Sequence, residues 1–344
     1  MQAYAQENLK EAMLYTRRDD NRVLCHLCPH RCLIDHGKRG MCQVRENRDG
    51  TLYTLIYEHP IVQNVDPVEK KPLFHFYPGS TTYSIATQGC NFHCPYCINW
   101  QISQVAGAQL QHTGTEVSPE QIVSAALQAR CYGIAYTYVE PTIFFEYAYD
   151  IARLAHAAGL LNIYKTNGFM TAEMLDMSHP YLDAANVDLK TFRHITYQQF
   201  GGRLQPVLDS LKHMKALGIW LEISTVLIPS INDDPAELRD LASFIARELG
   251  DDTPWHIARF FPAFKMEHVP PTSIRTLYRA REIGWDMGLH HVYFSNLLRS
   301  GTQDTLCTSC KRILIRRHGC KLLANTVQSG SCPDCRTKVA GIGI

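Results

Sequence analysis

Between Tyr83 and Asn296, short apolar runs rich in β-branched and aromatic residues alternate with longer stretches whose apolar residues recur at helical intervals. Residues 83–87, 134–139, 162–165, 186–189, 220–228, 256–260 and 291–294 read as strands. Residues 235–248 and 273–287 read as amphipathic helices with charges between their apolar positions. Another helix is signposted at its start: Ser118 suits the N-cap, Pro119 the first turn, and Gln121 stands where a capping box needs it. Strands alternating with helices predict βα units carrying a parallel sheet. Seven such units are too many for a typical flavodoxin-like sheet and close to the eight of a closed barrel. The expected fold class is therefore α/β, a partial or full (β/α) barrel.

The pattern changes on both sides of this region. Residues 1–75 hold a group of cysteines, a short strand-like run at 52–57 and a turn-like Asp66-Pro67, with Pro78-Gly79 just beyond; they predict an N-terminal Cys-rich metal-binding module. Residues 76–300 would form the barrel. Residues 301–344 are short, Cys-paired and Gly-rich, with no room for a core of their own, so a bound metal would have to stabilise them.

Composition narrows the function classes. Lys plus Arg (34) nearly cancels Asp plus Glu (33), so no uniform field favours nucleic acid or a membrane surface. The first twenty residues are too polar for a signal peptide, and no run reaches the roughly 18 apolar residues of a spanning helix. A cytoplasmic protein is expected. In a reducing compartment, twelve of the thirteen cysteines, set in three close groups, point to metal ligands rather than disulfides. Cys131 stands apart and reads as a small buried hydrophobe.

Cys90, Cys94 and Cys97 directly follow the first strand of the series, which in a barrel puts them on the first loop of the C-terminal face, where such folds keep their active sites. Three thiolates cannot close a four-ligand zinc or iron-sulfur site, and an open metal position is what reactivity needs. The competing reading is a structural zinc site completed by His93 or a distant residue. The CxxxCxxC spacing, with Tyr96 before the last cysteine, resembles the radical S-adenosylmethionine (SAM) superfamily over roughly residues 80–300. That resemblance implies a 4Fe-4S cluster on the three cysteines, SAM on its open iron, and reductive cleavage of SAM to a 5'-deoxyadenosyl radical that takes a hydrogen atom from a substrate. The protein would bind, orient and shield.

The resemblance also implies which other strand ends meet the cofactor. Tyr138-Val139-Glu140-Pro141 is similar to the family's GGEP segment with both glycines replaced, and makes Glu140 a candidate for the SAM ammonium. Thr166-Asn167-Gly168 and Asp188-Leu189-Lys190 are similar to segments of glycyl-radical activating enzymes, which adds Asn167, Asp188 and Lys190. For Lys190 a rim salt bridge to Asp188 is the alternative. His256, at the start of its strand, is a further candidate against ordinary packing.

Cys307, Cys310, Cys332 and Cys335 form two CxxC knuckles with the spacing of a zinc ribbon, which leaves Cys320 over. Lys311, Arg312, Arg316 and Arg317 keep nucleic acid open there, without the aromatics that single strands favour. Cys25, Cys28, Cys32 and Cys42 offer four more thiolates, for zinc or a second iron-sulfur cluster. Together with the segments 66–73 and 75–79, these groups resemble the radical SAM protein of the AmmeMemoRadiSam system, a relative of pyruvate formate-lyase activating enzymes. That resemblance implies a reductant such as flavodoxin or ferredoxin, a protein or small-molecule substrate, and Memo-like and AMMECR-like partners. The alternative function is a metal-stabilised scaffold or a nucleic-acid-binding zinc-ribbon protein, in which every metal site would be closed by four ligands.

Overall fold

The computed structural model describes residues 9–105, 116–297 and 301–344; the first eight residues of the polar N-terminal stretch and the expected boundary at 300/301 lie outside or at the edge of these segments. Eight strands make the central sheet: β1 (Val62–Pro67), β2 (Thr81–Ala86), β3 (Gly133–Tyr136), β4 (Leu161–Thr166), β5 (Ala184–Asp188), β6 (Trp220–Leu227), β7 (Trp255–Arg259) and β8 (Val292–Ser295). They lie side by side in chain order. From β2 to β8 every pairing is parallel, whereas β1 runs antiparallel to β2. Among the described residues no ladder joins β8 to β1, so the α/β fold is a partial barrel.

Helices Pro119–Gln128, Phe145–Ala157, Ala172–Ser178, Leu204–Ala216, Pro235–Phe244 and Ile274–Asp286 fill the crossovers. Ser118 and Gln121 close the expected capping box, and Ser273 caps the last helix by accepting from the Thr276 amide. The expected helix 235–248 ends instead in a π-helical turn, Ile245–Leu249.

Two differences from the expected strands have local causes. β3 stops at Tyr136 because Tyr138 takes a left-handed φ of 64°, which an extended strand cannot contain. Asp66-Pro67, expected as a turn, is the end of β1; on an edge strand the missing proline N–H can face away from the ladder.

The N-terminal segment forms two small antiparallel sheets, one from Lys10–Glu11, Thr51–Thr54 and Arg45–Arg48, the other from Tyr15–Arg17, Val23–Cys25 and Leu33–Ile34. Its buried Val23, Leu27, Ile34, Val44 and Leu52 belong to the same continuous apolar cluster as the barrel core. The C-terminal strands Thr305–Leu306, Ile313–His318 and Lys321–Asn325 make a third small sheet around Cys307, Leu314, Ile315 and Cys332. Four fully buried residues are too few for an independent core. A plug at Lys71–Phe76 fills the barrel interior: the Phe74 and His75 amides donate to Glu222, and Asn186 donates to the Pro72 carbonyl.

Candidate functional site

The three central cysteines follow β2 on a loop pressed between two neighbours. Gly89 has φ +95°, and a Cβ there would lie 2.7 Å from Val44 Cγ1 and 3.0 Å from the Cys42 carbonyl, so only glycine lets the loop pass under the N-terminal segment. On the other side Phe92 packs on Gly202, where a Cβ would sit 2.3 Å from the ring. The Phe92 amide donates to Cys90 Sγ at 3.4 Å, and Cys97 Sγ lies 3.2 Å from Ser103 Oγ. Burial pushes the Cys90 thiol well up, with the Glu140 carboxylate adding to it; burial also raises Cys94, to about 11, against the pull of Lys190. Such thiols ionise only when a cation replaces the proton.

This donor set fits a multi-iron group better than a single ion. The cysteines are free, and their three sulfurs do not all lie within 4.8 Å of one another. A tetrahedral zinc with Zn–S bonds of about 2.3 Å would hold sulfurs about 3.8 Å apart. His93 does not complete such a site: its Nδ1 lies 3.0 Å from Gln104 Oε1, and it joins no compact ligand group among the described residues.

Glu140 is buried at the strand ends next to this loop. Its Oε1 accepts from the Thr142 amide at 3.1 Å, Thr142 Oγ1 at 2.6 Å and Thr166 Oγ1 at 2.7 Å, while Oε2 accepts from the Asn167 amide at 2.7 Å. Burial raises its pKa against these hydrogen bonds. Asn167 Nδ2 in turn donates to Asn91 Oδ1 at 2.8 Å, and Asn91 donates to the Phe169 carbonyl. The candidates Glu140 and Asn167 are thus bolted to each other and to the cysteine loop.

Asp188 lies between two ammonium groups, paired with Lys165 and 3.4 Å from Lys190 Nζ. Burial would raise its carboxyl, but the two lysines outweigh burial and hold it below the usual range. The Lys190 ammonium lies 5.9 Å from the Tyr96 ring, so Lys190, Tyr96 and Cys94 share one buried neighbourhood. Three members were not singled out in the sequence. Lys165, a charged residue inside a buried parallel strand, was a visible signal; Asn91 and Ser103 carried none. His256 lies deeper in the barrel: its Nε2 meets Glu222 Oε2 at 2.6 Å, and Glu222 also holds the plug.

In the C-terminal module, Cys307, Cys310, Cys332 and Cys335 bring all four sulfurs within 4.8 Å, with the Cys307–Cys335 and Cys310–Cys332 pairs at 3.4 and 3.7 Å. This is the closed geometry of a zinc-ribbon-like module. Cys320 is outside the group. Among the described residues no helix is long and apolar enough to cross a membrane.

Comparison with known proteins gives this geometry a lineage. The radical SAM superfamily model matches residues 84–242. An uncharacterised protein of Methanocaldococcus jannaschii is 40% identical over 333 residues, covering 96% of this chain and 99% of that one. The pyruvate formate-lyase-activating enzyme of Clostridium pasteurianum is 25% identical over 49% of this chain and 70% of its own. A radical SAM methyltransferase structure from Sphaerobacter thermophilus superposes with a TM-score of 0.49 at 18% identity, over 64% of this chain and 68% of that one. The chain belongs to the radical SAM superfamily, a family that implies a 4Fe-4S cluster and SAM as cofactors. Within it, the chain is related to the pyruvate formate-lyase activating enzymes.

Proposed function

We propose that this enzyme cleaves SAM reductively at a 4Fe-4S cluster held by Cys90, Cys94 and Cys97, and modifies a protein or small-molecule substrate. The observation that carries the reading is a three-thiol loop at the C-terminal end of the first parallel strand, whose cysteines join no compact single-ion group among the described residues. When bound, the cluster and SAM supply a one-electron cleavage that yields a 5'-deoxyadenosyl radical.

The chain's own residues bind and orient. Backbone and hydroxyl groups at Phe92 and Ser103 steady the thiolates. Glu140, with one carboxylate oxygen accepting only the Asn167 amide, offers an acceptor for an ammonium group and fixes the adjoining strand ends. Asp188, Lys165 and Lys190 supply charge for the polar ends of SAM, and buried Tyr96 excludes water beside Cys94. His256 serves the barrel interior through Glu222. In the proposed division of the chain, residues 1–75 carry the N-terminal metal module and also lend β1 and most of the plug to the barrel, while residues 301–344 form a second module holding zinc on Cys307, Cys310, Cys332 and Cys335.

Relatives named as pyruvate formate-lyase-activating enzymes favour a protein substrate, with hydrogen abstraction from a glycine as the specific form. A flavodoxin or ferredoxin would supply electrons, and Memo-like and AMMECR-like proteins are the partners to test first. After anaerobic reconstitution and reduction, the enzyme should form 5'-deoxyadenosine from SAM, and Cys94→Ala should lose at least about a hundredfold of that activity. A Cys94→Ala protein that retains wild-type cleavage would sink the assignment.

A further inference from the structure

The four N-terminal cysteines surround a cavity that neither the proposed reaction nor the fold explains. Cys25, Cys28, Cys32 and Cys42 line it with Gly40 and Arg45, around a small space that is partly open to solvent. All four are free thiols. No three of their sulfurs lie mutually within 4.8 Å, in contrast to the C-terminal foursome of the same chain. The C-terminal group has contracted to the spacing of one tetrahedral ion. The N-terminal group holds its sulfurs apart around a space.

A second observation indicates what fills that space. Arg45 is almost wholly buried, and its Nη2 is satisfied by the Met13 carbonyl and by Glu146 Oε1, each at 2.7 Å. Its Nε and Nη1 are buried without a hydrogen-bond partner among the described residues. Orphaned guanidinium donors in the wall of a thiol-lined cavity call for an anionic group rich in acceptors. A single zinc would draw the thiolates together and present no acceptor beyond them. An iron-sulfur cube carries sulfides of its own and spreads its ligands. The Met41 amide, 3.5 Å from Cys32 Sγ, adds a backbone donor of the kind that tunes such clusters.

We propose that Cys25, Cys28, Cys32 and Cys42 hold a second 4Fe-4S cluster, closed by four thiolates, with Arg45 donating to it. Its position is adjacent to the central loop: Cys42 and Val44 pack on Gly89, and His30 Nε2 lies 2.8 Å from the Asn91 carbonyl, next to Cys90. The site stands on its own residues and does not require the central assignment.

The full-length protein, reconstituted anaerobically, should contain about eight irons and matching sulfide per chain, four per cluster, with zinc only in the C-terminal module. The Cys90→Ala/Cys94→Ala/Cys97→Ala protein leaves the N-terminal group intact and should keep about four irons with a 4Fe-4S Mössbauer signature. Loss of all iron from that triple variant overturns the proposal. So does a wild-type protein with a second stoichiometric zinc that disappears in Cys28→Ser. Cleavage of SAM is a separate readout, so failure of the central site and of this one are told apart.

Discussion

Glu140 illustrates how much one side chain can do in this site. Its two oxygens accept from the Thr142 and Asn167 amides and from the hydroxyls of Thr142 and Thr166. Glu140→Ala leaves those buried donors without an acceptor, and a loss of about 3 kcal/mol in folding stability is expected. Anaerobic denaturant titration checks this; an unchanged midpoint would mean that the strand ends do not depend on the carboxylate. Two residues away, Tyr138 shows a constraint that its identity hides. Its φ of 64° is the left-handed geometry that a glycine takes freely and that costs other residues about 1–2 kcal/mol. The Tyr138 hydroxyl donates to Asp66 at 2.6 Å, and Lys71 Nζ lies 4.9 Å from its ring, which offsets the strain. The replaced glycines were legible in the sequence. The left-handed backbone at Tyr138 was not, because φ is set by the turn and not by the side chain alone.

At the scale of elements, the βα series was legible almost strand for strand, since continuous apolar runs buried on both faces differ from amphipathic helices within a few residues of sequence. β1 was not. Its Gln63, Asn64 and Asp66 make it polar, and its place in the sheet comes from pairing with β2 rather than from any pattern of its own. The cysteine loop is likewise held by an element distant in sequence. Gly202, just before helix Leu204–Ala216, leaves room for Phe92, and Gly202→Ala must push that ring and the cysteines on either side of it. Displacements of about 1 Å at reacting groups cost on the order of a hundredfold in rate. Gly202→Ala should therefore keep wild-type circular dichroism while 5'-deoxyadenosine formation falls by about that factor. Full activity would show that the loop absorbs the change.

In the whole molecule, the plug, the barrel interior and the C-terminal module meet at a group of buried histidines. His75 contacts the Ala340 carbonyl through Nδ1 and the Tyr293 hydroxyl through Nε2, and its ring lies 4.3 Å from that of His291. Arg317 reaches from the C-terminal sheet to the Phe74 carbonyl at 2.5 Å. Burial lowers His75, His256 and His291, the last to about 4. Above the ordinary histidine range both folded and unfolded chains are neutral. As the pH falls from about 6.5 towards 4, the unfolded chain takes up protons that folded His291 refuses, so stability declines, by at most about 1.4 kcal/mol per pH unit for each such group. Denaturation midpoints across this window should fall with acidity, and His291→Gln should flatten the slope. Equal slopes in the two proteins would remove His291 from the account.

By itself the sequence determined the elements and the donor sets: the alternation of buried strands with helices, and cysteines spaced closely enough to share a metal. Both depend on interactions within a few residues, which composition and periodicity record. Tertiary structure decided which distant groups meet. Glu140 reaches Asn167, Lys165 pairs with Asp188, His256 turns to Glu222 inside the barrel, and Gly89 runs beneath Cys42 and Val44. Those pairings depend on strand register and on the burial of one segment against another. The same register and packing draw the C-terminal sulfurs together and hold the N-terminal ones apart, although both groups offer four cysteines.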